Sequence, residues 1–89
     1  MNLYVVPRTR AWQFEEELAA SADCGRAVIE ALGGEVRFVR SYIVEEPDGT
    51  LGGYCVYEAT GPEAIKRYTD AMRLPCDAIK LVRKTVVAA

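Results

Sequence analysis

Histidine is absent from this 89-residue chain. That removes the commonest general base near neutral pH, the commonest nitrogen ligand for metals, and every Ser–His or Cys–His nucleophile pair. Basic charge is also scarce. Lys and Arg number 11 against 13 Asp and Glu, a net charge of -2, which speaks against nucleic acid as a partner and leaves no basic tract for an anionic membrane surface. No apolar run approaches the roughly 20 residues of a membrane span. The opening Met1–Arg8 has only Leu3 to Val6 as an apolar stretch, which is not a secretory signal pattern. The cysteines, Cys24, Cys55 and Cys76, are odd in number with no CxxC spacing. They read as free thiols of a reducing compartment rather than as a disulfide framework or zinc site, so the expected location is cytoplasmic. Any chemistry must come from carboxylates, arginines, lysines, tyrosines, cysteines and backbone.

What is present is a globular composition: 51% hydrophobic and 27% charged, enough for a single domain over residues 1–89. Leu3 to Arg8 is a short β-prone run, and Pro7 suits a strand end or edge. From Glu15 to Leu32, apolar residues Leu18, Ala22, Ile29 and Leu32 recur with Gly25 at steps of four and three, one face of a helix. Glu15, Glu16 and Glu17 favour its first turn, and Gly33-Gly34 its end. Gly25, costly inside a helix, predicts close approach of the helix to a sheet. Val36 to Glu45 and Gly53 to Ala59 read as strands of an antiparallel hairpin turning at Pro47-Asp48-Gly49. Pro62 opens a second helix and Leu74-Pro75 stops it. Ile79 to Val87 reads as a last strand. The order β-α-β-β-α-β predicts an α+β, ferredoxin-like domain, a four-stranded antiparallel sheet with both helices on one face.

That arrangement leaves the other sheet face open. Strict alternation gives Val39, Ser41, Ile43, Cys55 and Ala59 to the helices. It sends Phe38, Arg40, Tyr42, Tyr54, Val56 and Glu58 to the open face, with Tyr4 and Val6 from the first strand. A face this aromatic predicts an interface or ligand site. The expectation is a homodimer of the dimeric α/β-barrel type, its two sheets face to face. A hairpin pairing Val44 with Tyr54 would set Arg40 opposite Glu58, either as a structural ion pair or as the polar centre of an apolar pocket. A one-residue slip would undo that pairing. Trp12, beside Phe14, reads either as a lid on the core edge or as a stacking wall for a ligand. Arg8 and Arg10 read as surface charges or as the lining of an anion pocket. The candidate ligand-binding set is Arg40, Tyr42, Tyr54, Glu58, Phe38 and Trp12.

The blocks Val36–Val44, Tyr54–Ala59, Pro62–Ile65 and Leu74–Ile79, with the opening Tyr4–Thr9, resemble a family of small bacterial proteins. These carry a domain of unknown function related to nickel-binding, nickel-responsive proteins. The resemblance implies a ferredoxin-like fold and a dimer. It also places Pro7, Arg37 and Asp23 where metal-binding relatives carry histidine. Proline and arginine offer no ligand, so no nickel and no other cofactor is expected here, and carboxylates alone would favour hard cations such as Mg²⁺, Ca²⁺ or Mn²⁺. The functional expectation is a dimeric module binding a small molecule. Two alternatives stand beside it: a cofactor-free isomerase, cyclase or monooxygenase with Glu58, Arg40, Tyr42 and Tyr54 supplying acid–base and orienting groups, and a purely structural dimer.

Overall fold

A strand that alternates apolar and polar side chains needs a cover for one face only, and two helices supply it here. The computed structural model describes residues 1–89 and contains β1 (Asn2–Trp12), α1 (Glu15–Ala31), β2 (Val36–Glu45), β3 (Leu51–Ala59), α2 (Pro62–Met72) and β4 (Lys80–Leu81). The sheet order is β2-β3-β1-β4, with every neighbouring pair antiparallel. This is the ferredoxin-like arrangement that the element order predicts. No helix is long and apolar enough to cross a membrane.

Local chemistry sets most element ends. The first turn of α1 carries Glu15, Glu16 and Glu17, opposite in charge to the helix dipole's positive end. Gly33 (φ 64°) and Gly34 (φ 88°) then take the left-handed conformation that ends the helix. Pro62 opens α2 after Gly61, and Arg73 closes it at φ 56°. Between β2 and β3, Asp48 accepts from both the backbone N–H (3.0 Å) and the hydroxyl (2.6 Å) of Thr50. Those two bonds hold the Asp48 carboxyl below its ordinary pKa.

Directly opposed residues of an antiparallel pair share a face, so the register assigns every side chain. Tyr4 faces Tyr57, Val6 faces Cys55 and Arg8 faces Gly53. On the other side of β3, Val36 faces Ala59, Phe38 faces Tyr57, Ser41 faces Cys55 and Ile43 faces Gly53. This is the helix-covered face. It meets Ala64, Ile65, Tyr68 and Thr69 of α2, all buried. Val6 and Ile65 are fully enclosed, each contributing about 1.5–3 kcal/mol of apolar burial.

Three sequence-based expectations change. The register of β2 shifts between Phe38 and Arg40, which leaves Val39 as the extra residue of a β-bulge. The bulge reverses alternation in the first half of β2, so Phe38 lies on the helix side and not on the open face. Tyr4 and Val6 likewise face the helices, at 5% and 0% exposure. The last strand shrinks from Ile79–Val87 to Lys80–Leu81. Val82 still donates to Leu3 O at 2.8 Å, but no backbone bond extends beyond it. Val86 and Val87 are about four-fifths exposed. Valine favours strands because it packs on a half-buried pleated surface, and the tail meets no such surface.

Gly25 is the only buried residue of α1. A Cβ there would stand 2.8 Å from the Tyr68 hydroxyl, so the close approach is to α2 rather than to the sheet. Gly25→Ala should therefore destabilise the protein by about 1 kcal/mol despite alanine's helix preference. In a Tyr68→Phe background it should stabilise by roughly 0.5–1 kcal/mol. Urea denaturation of the four proteins measures the difference, and equal effects in both backgrounds would refute this account of Gly25.

Candidate functional site

The two faces of the sheet present different chemistry. On the open face Tyr42 stands opposite Tyr54, Arg40 opposite Val56 and Arg37 opposite Glu58, while β1 adds Leu3, Val5 and Pro7 in register. Tyr42 and Tyr54 are 57% and 49% exposed. Arg40 reaches only the Tyr42 hydroxyl, at 3.4 Å. The pairing expected between Arg40 and Glu58 does not form. Val44 stands opposite Gly52, not Tyr54, and the Val39 bulge hands Glu58 to Arg37, whose Nε donates to it at 3.0 Å. This ion pair is well solvated on the arginine side, a class worth about 0–1 kcal/mol. The open face thus gathers Arg40, Tyr42, Tyr54 and Glu58 but breaks the polar pair expected at its centre.

Phe38 and Trp12 belong to the other side, where α1 stands off from the sheet. A cavity of about 260 Å³ lies there, with ten hydrophobic residues among the fourteen that line it. Leu18, Ala22 and Ile29 of α1 form its roof, while Phe38, Ile43, Cys55 and Tyr57 form its floor. Phe38 and Ile43 remain 51% and 40% exposed, because no residue of α1 descends to cover them. The Phe38 ring packs edge-on against Tyr57, with centroids 5.9 Å apart. Trp12 closes one end. It is 5% exposed, and its Nε1–H is buried with no acceptor, an omission that costs about 1–3 kcal/mol.

Behind Tyr57 sits Arg8, which is 1% exposed rather than a surface charge. Its guanidinium donates to Pro75 O at 2.8 Å, to the Thr69 hydroxyl at 3.0 Å and to the Tyr57 hydroxyl at 3.2 Å. It also lies 5.8 Å from the Tyr57 ring centroid. Every acceptor is neutral, none of the chain's ion pairs includes Arg8, and Arg8 Nε is buried without a partner. Sequence carried one usable signal: Arg8 continues the Tyr4, Val6 alternation and so shares their face.

No group of three or more His, Cys, Asp and Glu comes together to hold a metal ion. Pro7 and Arg37 lie on strands separated by β3. Asp23 sits exposed on α1, paired with Arg26. Cys55 is buried while Cys24 and Cys76 are exposed.

With this geometry in hand, the family described as Nickel responsive protein SCO4226-like matches residues 4–82. Among solved structures, the crystal structure of SCO4226 from Streptomyces coelicolor A3(2) superposes with a TM-score of 0.73. It covers 94% of this chain and 99% of that one at 19% sequence identity, a likeness of fold. No curated protein matches the sequence significantly.

Burial raises the pKa of Tyr57 and of Tyr68 above the ordinary phenol value. From about pH 10 upward, the unfolded chain therefore holds fewer protons than the folded one, and stability must fall as pH rises. The urea midpoint should drop between pH 9 and pH 11, and Tyr57→Phe should flatten that drop. A slope unchanged by Tyr57→Phe would contradict the assignment.

Proposed function

The chain belongs to the SCO4226-like family of nickel-responsive proteins, and from that premise we propose that it is a dimeric, non-catalytic module. It binds a small, mostly apolar molecule between α1 and the sheet and holds no nickel. The observation that carries the binding reading is the cavity closed by Trp12. Its volume approaches the lower end of ordinary ligand pockets, about 300 Å³. It is lined mainly by hydrophobic side chains, and Phe38 and Ile43 on its floor are left only about half covered by α1.

The donor set argues against nickel. First-row metals of this kind favour imidazole and thiolate; the chain has no histidine, and its three cysteines are dispersed. The positions expected to mirror the relatives' histidines, Pro7, Arg37 and Asp23, do not converge on one point. The enzyme reading loses its base, because Glu58 is taken up by Arg37 and lies on the face away from the larger cavity.

Dimerisation rests on the open face. Val5 and Val56 are directly paired at its middle, flanked by the opposed Tyr42 and Tyr54. Rings half exposed in this position lose that exposure when a second sheet packs on them, and aromatic side chains carry much of the energy of such contacts.

Two measurements test these readings. Trp12 is the sole tryptophan, so its fluorescence reports on the cavity directly. Titration with 1-octanol should give a saturable change in emission, and Ala22→Phe, which fills the roof, should weaken it at least about tenfold. An Ala22→Phe curve superimposable on the native one would remove the cavity reading. Separately, light scattering at micromolar concentration should give about twice the chain mass of 9.8 kDa. Tyr54→Asp should return the mass to that of one chain, since it buries a charge at the interface. A single-chain mass for the native protein would end the dimer reading.

A further inference from the structure

The C-terminal segment and the far edge of the sheet are each left unfinished. Beyond Val82 no backbone bond holds the chain. Residues 83–89 nevertheless read Arg-Lys-Thr-Val-Val-Ala-Ala, and Val86 and Val87 lie in solvent. Threonine and valine favour a half-buried strand. At the opposite edge stands β2, whose outer side pairs with no strand. A free edge of this length is a template for a further strand. The Val39 bulge interrupts its first half, but Arg40–Glu45 pairs with β3 residue for residue and is regular enough to receive one. Apolar surface is exposed on both sides of this stretch, at Tyr42 on the open face and at Ile43 beside the cavity beneath α1. Charge matches as well. Arg83 and Lys84 at the start of the segment, and Glu45 at the end of β2, enter none of the chain's ion pairs.

We infer that residues 83–89 of one copy add to the β2 edge of a second copy as an antiparallel strand. The inference rests on the dimer reading above and names the segment that joins the two sheets. Within one chain β4 and β2 are opposite edges, with β1 and β3 between them. A two-fold axis along the strands, between two open faces, reverses the order of the second sheet. It sets β4 of one copy beside β2 of the other. The two run antiparallel, because every neighbouring pair in the order β2-β3-β1-β4 is antiparallel. Charge selects the same direction. An antiparallel segment carries Lys84 to the second copy's Glu45, whereas a parallel one would bring it toward Arg37 and Arg40. With Lys84 opposite Glu45, Val86 falls opposite Ile43 and Val87 opposite Tyr42. Val86 then covers the β2 side of the cavity, and Val87 extends the apolar contact of the open face.

Hydrogen exchange of the native protein and of a chain ending at Val82 tests this. The amides of Arg40–Glu45 that are not bonded to β3 should exchange at least about tenfold faster in the shortened chain. A synthetic peptide of residues 81–89, added in excess, should restore the native rate. In the full chain, Glu45→Lys and Lys84→Glu should each speed exchange at these amides, and the two together should slow it again. A single-chain mass for the native protein in light scattering would overturn the dimer reading and this inference with it. A native dimer whose Arg40–Glu45 amides exchange as fast as those of the shortened chain would overturn the inference alone. So would a double variant that exchanges no more slowly than the single ones. The segment makes no backbone bond in its own chain, so its removal leaves the fold intact.

Discussion

One buried cation ties this fold together. Arg8 on β1 reaches the β3 residue Tyr57, the α2 residue Thr69 and the carbonyl of Pro75 after α2. These contacts span 49 to 67 residues of sequence, so a single side chain links the centre of the sheet to the second helix and the segment that leads to β4. The planar guanidinium can serve several acceptors at fixed angles, which suits it to a junction of three elements. Its charge is the cost, since no carboxylate stands nearby to offset desolvation.

The second organising feature is an asymmetry between the helices. The α2 helix sets four buried residues on the sheet, whereas α1 buries only Gly25, held against Tyr68 by the absence of a side chain. Where α1 touches α2 it comes very close. Over β2 it stands off, and Phe38 and Ile43 remain uncovered. The cavity is the space left where α1 stands off. The cavity opens on the helix-covered face, and the tyrosine pair lies on the open one.

Much of the architecture was legible in local sequence, and the misreadings have specific causes. Glycine pairs, a helix-opening proline and the carboxylates of the first turn act on their nearest neighbours, so Gly33-Gly34, Pro62 and Glu15 to Glu17 marked element ends well. Strand alternation worked on β3, where Cys55 and Ala59 face the helices as their size indicated. It failed on β2, because the unpaired Val39 shifts the pleat by one residue and nothing in Val-Arg-Phe-Val-Arg marks a bulge. That one residue moved Phe38 off the open face and gave Glu58 to Arg37. The C-terminal valines mislead in another way, since a run of valines shows strand preference but not whether a surface exists to receive it.

Sequence by itself determined the order of elements, the ferredoxin-like class and the chemistry that a chain without histidine lacks. These depend on periodicity, turn residues and composition, all local or global properties of a string. Tertiary structure alone decided the register of β2, the burial of Arg8 and the gap beneath α1. Each depends on what residues tens of positions away supply: a hydroxyl at Thr69, a phenol at Tyr57, a carbonyl at Pro75, and a Tyr68 that meets α1 at Gly25. The side chains that line the cavity are ordinary core residues in sequence. Only their failure to meet beneath α1 leaves a cavity where a core would otherwise close.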